Sequence, residues 1–142
     1  FTVGHEDGTF AYPPTQPGGG GVAFRRQMRA LKEFIEGLDF IKMTPDNSVV
    51  QGALPEGVSA RALVEAGKQY AIYFHRSPKN PADTQLQLTL DLPAGTYRAE
   101  WLNPTTGKVD KTLDIQHSGG ARILSAPVFR EDIALRLVLT GK

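Results

Sequence analysis

The sequence predicts a mostly β chain: an antiparallel sandwich or barrel of about eight short strands, preceded by one α-helix and an irregular N-terminal arm. Three observations carry this. From about Asn47 apolar residues recur with a period of two. Turn residues punctuate that pattern at short, regular intervals. Only one stretch, residues 22–36, shows a convincing helical period.

The arm comes first. Residues 1–21 hold Pro13, Pro14, Pro17 and the run Gly18 to Gly21, which support neither a helix nor a central strand. Phe1, Phe10 and Tyr12 suggest a segment that packs on something. In the helix, Phe24, Met28, Leu31 and Ile35 recur at spacings of four, three and four, and Phe34 and Leu38 widen the stripe. Gly37 suits the position just past the helix end. The charges oppose the helix dipole, with arginines in the first half and Glu33 and Glu36 in the last turn. The apolar stripe must therefore hold the helix, buried against the sandwich or against another copy of the chain.

Strands follow. Leu86, Leu88 and Leu90 alternate with Gln85, Gln87 and Thr89, giving one dry and one wet face. Tyr97, Ala99 and Trp101 alternate with Arg98 and Glu100, and Ile133, Leu135 and Leu137 with Ala134 and Arg136. Gln69 to Arg76 is richer in apolar residues, and weaker strands are expected at 48–51, 60–66, 108–115 and 121–125. The expected core is Leu86, Leu88, Leu90, Tyr97, Trp101, Leu135 and Leu137. Turns are expected at Glu65 to Lys68, Pro78 to Asp83, Pro93 to Gly95, Asn103 to Gly107 and Ser118 to Gly120. These elements divide the chain into 1–46, arm plus helix, and 47–142, the β domain.

Composition narrows function. Among 142 residues, Lys+Arg is 16 and Asp+Glu is 15, a net charge of +1. No segment carries the basic excess that a nucleic-acid backbone requires, and no apolar run approaches the roughly 20 residues of a membrane span. Cysteine is absent, which excludes disulfides, thiol nucleophiles and Cys-ligated metals. No cofactor or metal site is expected: His5, His75 and His117 do not share metal-ligand spacing. The Gly18 to Gly21 run lacks the Lys-Ser or Lys-Thr that a phosphate loop needs.

His5, Glu6 and Asp7 form the densest titratable cluster, suited to acid–base chemistry or sugar binding. Tyr73 shares a strand face with Ala71 and His75 and is a candidate exposed ring; Trp101 is in phase with the core. Gln85, Gln87, Arg98 and Glu100 form an outer sheet face, either a polar ligand surface or a plain solvated one.

Three stretches carry a family resemblance. They are Arg26 to Phe34 followed by Pro45-Asp46-Asn47; Gly67 to Tyr73; and Leu92 to Trp101 followed by Asn103-Pro104 and Thr106-Gly107. Pro127 and Asp132 to Leu135 extend them. Together they resemble the C-terminal portion of bacterial apiosidase-like glycoside hydrolases, in which a TIM barrel is followed by a small β-sandwich with an inferred collagen-binding label. The resemblance implies a sandwich rather than a barrel for the β domain. It also implies that the helix from Val22 ends or follows the barrel, and that the catalytic carboxylates lie upstream. Gly4-His5-Glu6-Asp7-Gly8 resembles the loop after the last barrel strand, with Glu6 and Asp7 where those enzymes have Thr and Tyr. Candidate substrate-binding residues are thus His5, Glu6, Asp7 and Tyr73, with no catalytic residue expected.

The function expected on this basis is a non-catalytic accessory region of a secreted or periplasmic bacterial carbohydrate-degrading enzyme. Its partner is an upstream barrel or another copy of the chain, with carbohydrate as a further ligand. The alternatives are a stand-alone binder of a polysaccharide or matrix protein, and a catalytic fragment using His5 and Glu6.

Overall fold

The computed structural model describes residues 22–77, 79 and 82–141. His5, Glu6, Asp7 and the Gly18 to Gly21 run lie outside the described residues. One helix, α1 (Val22–Glu36), precedes nine strands: β1 (Thr44–Pro45), β2 (Val50–Gln51), β3 (Val58–Glu65), β4 (Gln69–Arg76), β5 (Gln87–Leu92), β6 (Gly95–Asn103), β7 (Lys108–His117), β8 (Gly120–Ser125) and β9 (Asp132–Gly141). Six strands form one sheet in the order β1-β3-β4-β9-β6-β7; three form the other in the order β2-β5-β8. Every pairing is antiparallel. The expected mostly β fold with two facing sheets is what forms.

The additional strand is β1. Its two residues are too few to show a period, and Pro45 cannot donate to a ladder, so it sits at a sheet edge, pairing Thr44 with Val64 and Pro45 with Leu63. Strong alternation places the core. Tyr70, Ile72, Phe74, Leu86, Leu88, Leu90, Tyr97, Trp101, Leu135 and Leu137 are each at most 2% exposed and form one cluster between the sheets. All seven expected core residues are among them.

The turns follow their residues. In the β3–β4 hairpin, Gly67 has φ 74° and its N–H donates to the Tyr70 hydroxyl, 2.8 Å away. In the β6–β7 hairpin, Asn103 Oδ1 accepts from the N–H groups of Thr105 and Thr106 (3.0 and 3.2 Å), and Gly107 has φ 71°. Such positive φ values suit glycine. Across the open side of the sandwich, Lys111 Nζ donates to the Ser125 carbonyl on β8 at 2.7 Å, tying the sheets together.

Two expectations change. Gln85 and Gln87 do not share a face with Arg98 and Glu100. Gln87 lies on β5 in the three-stranded sheet, whereas Arg98 and Glu100 lie on β6 in the six-stranded one. Period alone cannot say which sheet a strand joins. The helix stripe is also not buried as a unit. Ala30 and Leu38 are buried and Met28 and Ile35 are half-buried, but Phe24 and Leu31 are exposed. The contact line is rotated toward Ala30, Phe34 and Leu38, because Ala30 sits against Gly107 and Phe34 against the Arg136 guanidinium.

Candidate functional site

The outward positions of the six-stranded sheet come from alternate residues: Arg61 and Leu63 on β3, Ala71, Tyr73 and His75 on β4, Asp132, Ala134 and Arg136 on β9, Glu100 and Leu102 on β6. Helix α1 lies across this face, seated at three places. Near its middle, Ala30 meets Gly107, where a Cβ on the glycine would come within 2.9 Å of the Ala30 methyl. Farther on, the Phe34 ring sits 5.9 Å from the guanidinium carbon of Arg136. Just past the helix, the Gln69 amide holds the Asp39 backbone at both ends, accepting from its N–H at 3.0 Å and donating to its carbonyl at 3.1 Å.

Arg136 is the centre of this seat. Its Nε donates to Glu100 Oε2 at 2.9 Å, its Nη2 binds the same oxygen, and Arg98 donates to Glu100 Oε1 at 3.2 Å. Burial pushes the Glu100 carboxyl up, but the hydrogen bonds and charges of Arg136 and Arg98 outweigh it and hold the group below its ordinary value. A Cβ at Gly37 would lie 1.9 Å from an Arg136 terminal nitrogen. Gly37 is not among the described glycines with positive φ. It ends the helix as expected, and what it supplies there is clearance for the guanidinium.

Apolar grooves run on both flanks of α1. One, of about 340 Å3, is lined by Leu31, Ile35, Leu38, Met43, Leu63 and Ala71. The other, of about 490 Å3, is lined by Phe24, Met28, Leu31, Leu102, Pro104 and Ala134. Tyr73 borders both. The apolar surface here is far from covered: Phe24 is 39% exposed, Leu31 45%, Phe40 53% and Ile41 85%. Sequence reading missed Phe40, Ile41 and Leu63. The first two lie in a single 3-10 turn, too short for a period. Leu63 gave a readable signal, an apolar residue in the wet phase of its strand.

Tyr73 is 40% exposed, as expected of it, and its hydroxyl donates to Asp132 Oδ2 at 2.9 Å. Burial, then the Asp132 hydrogen bond and charge, push its phenol up to about 12. Its ring is within 10° of parallel to that of His75, with centroids 6.4 Å apart. Trp101 is fully buried, which removes it as a surface stacking platform. His117 ends β7, where the chain crosses to the other sheet, with Nε2 3.0 Å from the Gly120 carbonyl. Among the described residues no cluster of three or more His, Asp or Glu side chains has an arrangement able to hold a metal ion.

The fold recurs inside longer glycoside hydrolase chains. One structure, described as a glycoside hydrolase, matches 92% of this chain with a TM-score of 0.60 and 19% identity. A glycoside hydrolase family 5 structure from Bacteroides vulgatus also matches 92%, with a TM-score of 0.58 and 17% identity. The match covers only 31% and 30% of those two chains. In this chain it extends beyond the sandwich strands, since they alone do not make up 92% of it. No protein-family model matches the sequence, and no curated protein matches it.

Proposed function

We propose that this chain is the non-catalytic accessory region of a glycoside hydrolase, and that its helix-bearing face braces the catalytic domain. The observation that carries this reading is the apolar face that the described residues leave uncovered. Both flanks of α1 are open grooves, continuous with exposed Phe40 and Ile41. Exposed apolar surface of this kind marks an interaction site. A catalytic domain is the occupant favoured by the comparisons, because about 70% of each matched hydrolase lies outside the shared fold. Interfaces between domains of one chain are commonly of this partly apolar type. The chemistry then belongs to the partner. Glycoside hydrolysis uses two carboxyl groups roughly 5–10 Å apart across the scissile bond, whereas Glu100 on this face is committed to two arginines.

The test compares this chain with a polypeptide that also carries the catalytic domain. The isolated chain should hydrolyse no member of a panel of aryl glycosides and plant polysaccharides above background. In the longer polypeptide, Leu31→Glu combined with Ile41→Asp should lower the Tm of the catalytic domain by several degrees while leaving the isolated chain's Tm nearly unchanged. Turnover by the isolated chain, or a catalytic domain indifferent to the double substitution, would overturn the reading.

A further inference from the structure

At the end of the same sheet, beyond the first turn of α1, two aromatic rings stand beside a polar groove. Tyr73 and His75 alternate outward on β4, both exposed and nearly parallel. Residue pairing sets His75 opposite Asp132 on β9, and the Tyr73 hydroxyl reaches Asp132 Oδ2 diagonally. Asp132 also forms one wall of a groove of about 340 Å3 between the β6–β7 turn and the segment leading into β9. Thr105, Thr106, Arg130 and Glu131 line the rest of its polar wall. The volume lies at the lower end of the roughly 300–1,000 Å3 range of small-molecule sites.

We infer that this corner, with the Tyr73–His75 ring pair beside the Asp132–Glu131–Thr105 groove, is a subsite for a neutral glycan. A sugar ring offers two kinds of surface. One is a flat array of C–H groups that packs on aromatic faces, and the other is an edge of vicinal hydroxyls that need acceptors and donors. The ring pair supplies the first. For the second, the groove wall carries the Asp132 and Glu131 carboxylates and the Thr105 hydroxyl, with Asp132 Oδ2 already accepting from Tyr73. They are strong acceptors poised for hydroxyl donors. The Tyr73 phenol stays neutral throughout the physiological range, so its ring adds no charge.

Other ligand classes fit less well. An anion would face the Asp132 and Glu131 carboxylates. A metal ion would find no group of three His, Asp or Glu ligands among the described residues. A neutral polyol meets neither obstacle. The inference shares Tyr73 with the grooves of the brace reading, but it can be measured on the isolated chain, where no catalytic domain takes part, so the two can fail separately.

The experiment is an amide-resolved NMR titration of the isolated chain with neutral cello-, xylo-, manno- and arabino-oligosaccharides. At least one series should bind with a Kd on the order of 1 mM and shift the amides of Tyr73, His75, Thr105, Thr106 and Asp132. Tyr73→Ala and Asp132→Asn should each weaken it about tenfold, or abolish it. Tyr73→Phe should retain more affinity than Tyr73→Ala, because the ring face remains. Ile41→Ser, on the docking face, should change nothing. No shift with any neutral series would overturn the inference. So would shifts confined to the β2-β5-β8 sheet, or a lysine-rich peptide binding this corner more tightly than every oligosaccharide.

Discussion

The inner and outer sides of the six-stranded sheet are made by the same strands, yet one is finished and the other is not. Inward, Tyr70, Ile72, Phe74, Tyr97, Trp101, Leu135 and Leu137 close on the second sheet with almost no exposure. Outward, Leu63, Ala71, Tyr73, Leu102 and Ala134 meet a single helix that leaves a groove on each flank. The three-stranded sheet has the ordinary arrangement for a solvated sheet, with Gln87, Thr89 and Asp91 facing out beside one exposed apolar residue, Ile123. An alternating strand needs polar residues on a side that meets water. Where α1 sits, the six-stranded sheet offers mainly apolar groups beside the Arg136–Glu100 pair, so this face was composed to be covered, and among the described residues α1 covers only part of it.

The contrast can be broken first on the finished side. Trp101→Ala should cost about 3–5 kcal/mol, the usual penalty for emptying a fully buried large site, and should unfold the chain at much lower denaturant. Chemical denaturation followed by circular dichroism measures this; a cost below about 1 kcal/mol would mean that the inner packing can collapse around the loss.

A smaller effect is expected at the helix seat. Arg136→Ala leaves the part-buried Glu100 without its main partner and should cost about 1–3 kcal/mol. Acid should mimic it. Because the folded-state Glu100 carboxyl is held below its ordinary value, its contribution is present above that value and is lost as pH falls through the folded-state one. Wild-type stability should therefore decline on acidification more steeply than that of Glu100→Gln. Gly37→Ala sharpens the point. It should destabilise the wild type by forcing Arg136 aside, and should be almost harmless in an Arg136→Ala background. Equal costs in both backgrounds would remove Arg136 as the reason for the glycine.

The smallest effect on stability is expected on the unfinished side. Leu31→Glu and Ile41→Asp replace exposed side chains and should each change the isolated chain by no more than about 0.5 kcal/mol. They should nevertheless reduce any concentration-dependent self-association seen by sedimentation. A large loss of stability from either would show that the outer face supports the fold itself.

The inner side was legible because strict alternation in residues 86–90, 97–101 and 133–137 leaves one assignment for each side chain. The turns at Gly67 and Gly107 were legible for a similar local reason. The outer face was less so. Its composition depends on which strands become neighbours, and no local pattern says that Arg98 and Glu100 pair with β9 while Gln87 joins the other sheet. Which helix stripe is buried was equally hidden. Ala30 and Gly37 matter here because they are small, and a hydrophobic period scores large residues. Tyr73 could be picked out from its strand phase, but its companion Asp132 is 59 residues away and was visible only once β4 and β9 were paired.

Trp101 has one more consequence. It is the only tryptophan in the chain, fully buried, with its ring 6.1 Å from that of Phe74 and its indole N–H without a hydrogen bond among the described residues. Its fluorescence should therefore be strongly blue-shifted in the folded state and move to the red when the two sheets part. The helix seat lies on the opposite side of the sheet from this ring, so lifting α1 away should barely alter its colour. The chain carries its own optical probe, one that separates opening of the sandwich from release of the helix.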